Sequence, residues 1–146
     1  MKAADLDFPD ELHYLVEHQV WARLDDDATA TVGITALGIV QTGEIYMCRV
    51  KLPGTVVEQG RTIAVVELAK ALVALKSPVG GTVLAVNEQL AQRPGLVHRD
   101  PYGEGWLARL RLAGFNADRA RLLHGAPVAA AMAQYAQQLQ QEQRER

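Results

Sequence analysis

Lys70 is the residue of this sequence whose surroundings best suit covalent chemistry. It stands between two alanines, Ala69 and Ala71, where one apolar run ends (residues 63–67) and another begins (residues 72–75). Runs rich in Val and Leu predict two buried strands, with the lysine in the turn that joins them. Small neighbours at a hairpin tip leave the amine open to a modifying enzyme. An ordinary turn lysine shows the same local pattern, so the rest of the chain has to decide between the two.

Composition and charge limit the classes of protein to which the chain can belong. The 146 residues are 49% hydrophobic and carry a formal net charge of −2, which indicates one folded domain. The 15 Lys and Arg residues form no patch, so no nucleic-acid partner is expected. No apolar run is long enough for a membrane span, and residues 1–11 lack the apolar segment of a signal peptide. We expect a cytoplasmic, monomeric protein.

Residues that often form catalytic or metal sites do not cluster in the sequence. Cys48 is the only cysteine, which excludes an internal disulfide, and its apolar strand predicts a place in the core. His13, His18, His98 and His124 are scattered without the spacing of metal ligands, so we expect no metal site. The chain offers no nucleophile and base pair either. The pattern therefore favours a carrier protein over an enzyme.

Short apolar runs separated by turn residues predict a small β barrel or sandwich. The predicted strands cover residues 18–24, 30–34, 45–50, 55–57, 63–67, 72–75, 82–86 and 106–112. Gly-Thr-Val occurs at residues 54–56 and again at 81–83, on either side of Lys70. This short repeat suggests two β units related by a pseudo-two-fold axis, with the lysine at the joining turn.

The last thirty residues change character and predict helices. Asn116 is a candidate N-cap for a short helix, and Gly125 and Pro127 suit a helix stop followed by a new helix over about 128–141. Met132, Tyr135 and Leu139 fall on one face of that helix, as expected of a helix that packs on the β body, and the last seven residues should fray. The sequence thus divides into a β domain at 1–115 and a helical extension at 116–146.

Several motifs occur in one register over most of the chain. They are Gly33-Ile34-Thr35, Gly43-Glu44-Ile45, Gly60, Glu67-x-x-Lys70-Ala71, Pro78-Val79-x-Gly81, Val86-Asn87, Pro94-x-Leu96-Val97 and Asp100-Pro101-Tyr102-Gly103-x-Gly105-Trp106. With these motifs, residues 8–123 resemble the glycine cleavage system H protein, a lipoyl carrier. The resemblance implies a mainly β barrel-sandwich hybrid with C-terminal helices, and lipoate amide-linked to Lys70.

The resemblance also implies partners and further site residues. A lipoate ligase or a lipoyl or octanoyl transferase would attach the cofactor. Glu67 can present a carboxylate to that enzyme or can simply solubilise the strand end, and Ala71 keeps the tip small. H proteins also have Glu-His before their first barrel strand. His18 therefore either lines a groove in which the lipoyl group on Lys70, the lipoyl arm, rests, or is a partly buried structural histidine.

Related carriers fit the sequence less well. Biotin carriers typically flank their lysine with methionines, whereas this chain has alanines at 69 and 71. Lipoyl domains of the 2-oxoacid dehydrogenases lack the Asp-Pro-Tyr-Gly-x-Gly-Trp block and the terminal helices. A degenerate scaffold without lipoate is disfavoured because Glu67, Lys70 and Ala71 are all present.

Departures from the family pattern concentrate near the lysine. The family's serine two residues before it is Leu68, its Ser-Asp is Val73-Ala74, and its tryptophan is displaced by one position to Trp21. These changes favour an H-like lipoate-binding protein of a heterodisulfide-reductase-like sulfur oxidation system. The alternative is a genuine H protein, which carries an aminomethyl group between glycine cleavage enzymes. If the altered positions face the partner, we expect poor support of glycine cleavage, because polar groups on the partner would be left unpaired.

Overall fold

Two antiparallel sheets and a small hairpin form the molecule, of which a computed structural model describes residues 1–145. The strands are β1 (Lys2–Ala3), β2 (Leu6–Asp7), β3 (His13–Leu15), β4 (Val20–Leu24), β5 (Thr29–Ile34), β6 (Met47–Val50), β7 (Val56–Val57), β8 (Thr62–Glu67), β9 (Leu72–Lys76), β10 (Gly81–Val86) and β11 (Ala108–Leu112). The large sheet has the order β3-β4-β5-β11-β10-β7, and the small sheet has the order β6-β8-β9. Strands β1 and β2 pair with each other.

In the described part of the chain, residues 1–145, four helices and three 3-10 turns connect or cover the sheets. The helices are α1 (Ala36–Thr42), α2 (Leu96–Arg99), α3 (Phe115–Asp118) and α4 (Pro127–Arg144), and the 3-10 turns are Val16–His18, Glu88–Ala91 and Arg119–Arg121. None of the helices within residues 1–145 combines the length and the apolar character that crossing a bilayer requires.

The main core lies between the two sheets. Strand alternation sends Val20, Ala22 and Val32 of the large sheet toward the other sheet, where Val66 and Cys48 meet them. All five side chains are buried. Burial of a Val side chain contributes about 1.5–3 kcal/mol relative to exposure, so this layer fixes how the sheets stack.

A second core lies on the other face of the large sheet, under α4. Because neighbouring strand residues point to opposite faces, Trp21 leaves the main core and packs beside Met132 of α4. The indole Nε1 donates to the carbonyl oxygens of Ile34, at 3.0 Å, and Pro101, at 3.1 Å. Gly33 makes room for the ring, since a Cβ there would lie 2.5 Å from Trp21 Cζ2.

The displacement of Trp21 in the sequence has a local structural counterpart. The predicted strand over 18–24 is wrong at its start, because residues 16–18 form a 3-10 turn and the strand begins at Val20. Gln19 adopts a left-handed conformation with φ of 53° and ψ of 48°, and this residue changes the direction of the chain between the two elements. The turn also brings Glu17 and His18 to the surface.

The two Gly-Thr-Val segments lie side by side and run antiparallel. Thr82 pairs with Val56 and Gly81 with Val57, while the backbone N–H of Gly54 donates to the Val83 carbonyl oxygen at 2.8 Å. A two-fold axis between two β units produces this arrangement, so the pairing agrees with the repeat seen in the sequence.

Some of the other predictions from the sequence are confirmed by the structure, and some are wrong. The predicted strands after residue 24 are all present with shifts at their ends, and Cys48 is buried as expected. Helix α1 was not predicted from the sequence.

Asn116 is not an N-cap, because α3 starts at Phe115 after Gly114. Fraying from residue 140 is wrong for 140–144, which continue α4; residue 146 lies outside the described residues. The division at residues 115 and 116 stays a prediction.

Candidate functional site

The turn between β8 and β9 holds Lys70 at the tip of a hairpin. Glu67 and Leu72 form the last strand pair, and the N–H of Leu68 donates to the Ala71 carbonyl oxygen at 2.8 Å. This contact closes a tight turn that leaves Ala69, Lys70 and Ala71 exposed. The amine is therefore presented on a short loop with no bulky neighbour on either side.

The hairpin is supported by the rest of the small sheet. Strand β6 pairs with β8 from Met47 opposite Glu67 to Val50 opposite Ala64, and the Tyr46 N–H donates to the Glu67 carbonyl oxygen at 2.8 Å. Below the tip, Val66 is buried in the main core. A lysine on this support has a mobile side chain on a fixed base, which suits a carrier that must reach several enzymes.

A cleft of about 310 Å³ runs beside the hairpin; we refer to it as the arm cleft. Its walls come from the 3-10 turn, α1, the hairpin and α4, and its lining includes Glu17, His18, Gln19, Gln41, Thr42, Leu68, Val73, Ala74, Leu75 and Tyr135. Four separate parts of the chain thus meet next to the turn that carries Lys70. The sequence singled out His18, Leu68, Val73 and Ala74, whereas Gln19, Gln41 and Tyr135 were missed.

One wall of the arm cleft is apolar. Leu68 and Val73 are half-buried and pack against the main core, whereas Ala74 is exposed at the outer strand of the small sheet. All three residues line the cleft. Because Leu68 and Val73 stand where the family pattern has serines, this wall is more apolar than the family pattern would make it.

The opposite wall is polar and internally hydrogen-bonded. The Thr35 hydroxyl donates to Gln19 Oε1 at 2.6 Å, and Gln19 Nε2 donates to the Val16 carbonyl oxygen at 2.9 Å. These bonds fix the turn from which His18 projects, exposed, along the cleft. At the far end, the Tyr135 hydroxyl donates to Gln41 Oε1 at 2.9 Å and ties α4 to α1.

Cys48 and the histidines are the other side chains of this chain that often take part in chemistry. Burial raises the pKa of the Cys48 thiol to about 11, so it remains a neutral core group at physiological pH. Across residues 1–145, no three His, Cys, Asp or Glu side chains come together in a way that could hold a metal ion. The histidines are less scattered than the sequence suggested, because the rings of His13 and His124 stack with centroids 4.1 Å apart.

Comparison with known families identifies the chain. Residues 12–136 match the family model described as "Glycine cleavage H-protein". The chain belongs to the glycine cleavage H-protein family.

Individual relatives agree with this assignment. The chain is 38% identical over 117 residues to "Glycine cleavage system H protein 2" of Aquifex aeolicus, covering 80% of this chain and 73% of that one. It is 42% identical over 118 residues to the "Glycine cleavage system H protein" of Opitutus terrae, covering 81% and 91%. The crystal structure of a glycine cleavage system H protein from Mycobacterium marinum superposes with a TM-score of 0.66 at 26% identity, covering 73% of this chain and 87% of that chain.

Membership settles the general class of the protein. H proteins are lipoyl carriers that hold lipoate covalently on a lysine and have no catalytic activity of their own. The expected fold is confirmed: the mainly β body with a C-terminal helix is consistent with a lipoyl barrel-sandwich, although the two sheets do not close into one barrel. The exposed hairpin lysine beside an open cleft fits such a cofactor.

Proposed function

We propose that this protein carries lipoate on Lys70 and serves as the H protein of a glycine cleavage system. The observation that supports the attachment site is the exposed Lys70 at a tight turn, with alanines on both sides and the arm cleft beside it. When bound, lipoate supplies a dithiolane that undergoes thiol–disulfide exchange and holds the aminomethyl group released from glycine. In the same proposal, Ala71 keeps the tip small enough for an enzyme to reach Lys70. Glu67 presents the carboxylate that the attaching enzyme recognises.

The protein's own part in this process is presentation and shelter. Attachment to a fixed tip keeps the carried group at a high effective concentration near each docked enzyme. The arm cleft offers an apolar wall at Leu68 and Val73 and polar groups at His18 and Gln41. Carbon and sulfur atoms can lie against the first wall while an amine or thiol faces the second.

The names of the relatives favour glycine cleavage enzymes as partners. Proteins from Aquifex aeolicus and Opitutus terrae that align over about four fifths of this chain are named as glycine cleavage H proteins. The sulfur oxidation function, which the departures near Lys70 favoured, has no support in these comparisons. The glycine cleavage alternative therefore becomes the main proposal.

One structural observation keeps the sulfur carrier as a second candidate. The apolar side chains of Leu68 and Val73 form a cleft wall where the family pattern places serines, and such a wall suits a sulfur-bearing group without an amine. A heterodisulfide-reductase-like complex would then be the partner. Glycine decarboxylation with purified partner enzymes separates the two candidates, because only the first predicts turnover.

We expect Lys70 to be the single site of lipoylation, since the other lysines lie outside the hairpin turn. Incubation with lipoate, ATP and a lipoate ligase should add one lipoyl group, as measured by intact-protein mass spectrometry, and Lys70→Ala should add none. Lys2→Ala, at another exposed lysine, is the matched control and should be modified fully. The exposed tip contributes little to stability, so both variants should unfold at the same temperature. Lipoylation of Lys70→Ala would refute the assignment.

The remaining proposals concern the setting of the protein. A lipoate ligase or a lipoyl or octanoyl transferase would attach the cofactor, and the protein would act as a monomer in the cytoplasm. Sedimentation of the lipoylated protein alone tests the monomeric state.

A further inference from the structure

A second depression, which we call the outer groove, lies on the outer face of the small sheet and has a volume of about 870 Å³. Its apolar surface comes from Met47, Val65, Leu72 and Leu52, and its edge carries Arg49, Lys51 and Glu67. Apart from Glu67, none of these residues has been given a function above.

The outer groove and the arm cleft both border the hairpin that presents Lys70, but they share no lining residue. On β9, Leu72 lines the outer groove, whereas the next three residues line the arm cleft. Met47, Glu67 and Leu72 form one row across the three strands, and this row is the last before the turn. A protein seated in the outer groove would therefore touch the base of the tip and leave the cleft open.

The apolar side chains of the outer groove are unusually open to solvent. Leu52 is 73% exposed, Leu72 is 72% exposed and Met47 is 39% exposed, and all three border the same depression. Single exposed apolar residues are common on soluble proteins, but several around one concave surface next to a functional group indicate an interaction site.

The charges of the outer groove indicate what kind of surface fits it. Neither Arg49 nor Lys51 has a carboxylate within 4.0 Å in the described part of the chain, whereas Arg23, Arg109 and Arg121 each pair with one. Glu67 is the single carboxylate among the residues that line the groove. On a protein of net charge −2, this is a local excess of positive charge. The complementary surface is apolar and flanked by carboxylates.

We propose that the outer groove is the docking site for a glycine cleavage enzyme that receives the lipoyl arm, and that this enzyme presents an apolar segment flanked by acidic residues. The inference rests on the proposed function, because it takes its partner from it. Apolar contacts at Leu72 and Leu52 hold the partner in place, while Arg49 and Lys51 speed and orient its approach.

The test measures binding of the lipoylated protein to purified glycine decarboxylase and to purified aminomethyltransferase by titration calorimetry, beside glycine decarboxylation. Arg49→Glu with Lys51→Glu removes the positive edge, and Leu72→Ser removes an apolar contact. The matched controls are Arg111→Glu, an exposed arginine of the large sheet, and Val40→Ser, an exposed apolar residue of α1. Mass spectrometry first establishes equal lipoylation of every variant.

For one of the two enzymes, the double charge reversal should weaken binding about tenfold at low salt and by about twofold at 0.5 M NaCl, since salt screens rim charges. Leu72→Ser should weaken binding about fivefold at both salt concentrations. The two controls should bind like the unaltered protein.

Three results would overturn the inference. They are groove variants that bind like the controls, an unaltered protein that binds neither enzyme, and groove variants whose only defect is in the rate of lipoylation, which would assign the groove to the attaching enzyme. A protein that binds but supports no decarboxylation contradicts the proposed function while the docking site stands. The two proposals can thus fail separately.

Discussion

Glu67 lies where an enzyme that attaches a group to Lys70 has to approach. It ends β8, is exposed, and stands beside Met47 and Leu72 in the last row before the turn. No cation of residues 1–145 forms an ion pair with it, so its carboxylate is free to meet a basic surface on another protein.

Glu67→Gln should therefore slow lipoylation about fivefold, since an intermolecular charge pair at an interface rim contributes mainly to association rate. The initial rate, followed by mass spectrometry at limiting protein, is the measurement. Glu58→Gln changes an exposed carboxylate that lies away from the tip and should leave the rate unchanged. Equal lipoylation rates for the two variants would show that Glu67 only solubilises the end of the strand.

His13 shows how the fold brings together residues that the sequence separates. Its ring is buried between the rings of His124 and Phe115, and its Nδ1 has no hydrogen-bond partner in the described structure. Burial, together with the nearby His124 and Arg119, lowers the pKa of His13 to about 4. The side chain is therefore neutral in the folded protein at physiological pH.

This shift predicts acid sensitivity. The unfolded chain binds a proton at His13 near pH 6.5, whereas the folded protein resists protonation down to about pH 4, so stability falls as the pH drops through that interval. Between pH 7 and pH 5 the loss should be about 2 kcal/mol, from 1.36 kcal/mol per pKa unit. Urea unfolding at the two pH values gives the difference.

The control for this effect is His18→Gln, which removes an exposed histidine and should keep the full pH dependence. His13→Phe keeps the aromatic packing and should lose most of it. A His13→Phe variant with the same loss of stability between pH 7 and pH 5 as the parent would exclude His13 as its source.

Among the elements, β10 and β11 leave no room for a side chain at Gly81. A Cβ on Gly81 would clash with the backbone carbonyl oxygen of Arg111 on the partner strand. The same residue opens the second Gly-Thr-Val segment, which pairs with the first. A glycine here therefore serves sheet pairing at the centre of the pseudo-two-fold arrangement.

Gly81→Ala should destabilise the protein by about 1–3 kcal/mol, because the clash is with backbone and can be relieved only by moving a strand. Gly114→Ala is the matched control, since nothing lies within 4 Å of a Cβ at that position, and its effect should stay within about 0.5 kcal/mol. The midpoint of urea unfolding reports both. Similar midpoints would show that the two strands can separate at little cost.

Helix α4 connects the second core to the candidate site. Val128, Met132 and Ala136 bury one face of the helix, and Tyr135, on the neighbouring face, reaches the arm cleft. The helix thus has a structural role and also forms part of the wall beside the hairpin. Of the predicted stripe, Met132 is buried, and Tyr135 and Leu139 pack against this core while partly buried. The place of the helix next to Lys70 was not predictable from spacing along the chain.

At the scale of the molecule, the fold class and the candidate lysine could be predicted from the sequence because both depend on local signals. Alternating apolar runs mark strands such as β11, and small residues around Lys70 mark a turn. The predicted start of β4 was wrong because nothing in the sequence indicates that Gln19 adopts a left-handed conformation. Helix α1 was missed because its Ala-Leu-Gly-Ile-Val segment is as apolar as a strand. The local signal for a helix was Thr35, whose hydroxyl caps the first turn by accepting a hydrogen bond from the Gly38 N–H at 3.0 Å.

The arm cleft and the stack of His13 on His124 could not be predicted from the sequence for another reason. The cleft joins residues as far apart as Glu17, Leu68 and Tyr135, and the stack joins His13 to His124. No periodicity within one element encodes a contact between distant elements. The outer groove needed the strand register as well, because a shift by one residue would exchange Leu72 for Val73.

The complete molecule also allows a test of the pathway. Leu68, Val73 and Ala74 line the arm cleft, and none of them lines the outer groove, which is the proposed docking surface. The lipoylated protein should therefore support glycine decarboxylation within about tenfold of an authentic H protein, a difference of 1.4 kcal/mol or less.

The triple variant Leu68→Ser, Val73→Ser and Ala74→Asp restores the family pattern and should raise turnover no more than about threefold, since it leaves the docking surface almost unchanged. Both proteins are assayed at saturating partner enzymes, with lipoylation verified by mass. Negligible turnover by the parent together with a large gain in the triple variant would favour the sulfur oxidation candidate.

The separation into two cores has a practical optical consequence. Both tryptophans of the chain, Trp21 and Trp106, belong to the core under α4, and the hairpin that carries Lys70 contains neither. Intrinsic tryptophan emission therefore reports the environment of that core and is insensitive to events at the tip. A fluorophore on the small sheet would supply the second signal, so that one sample could show whether the two halves of the molecule come apart together or in sequence.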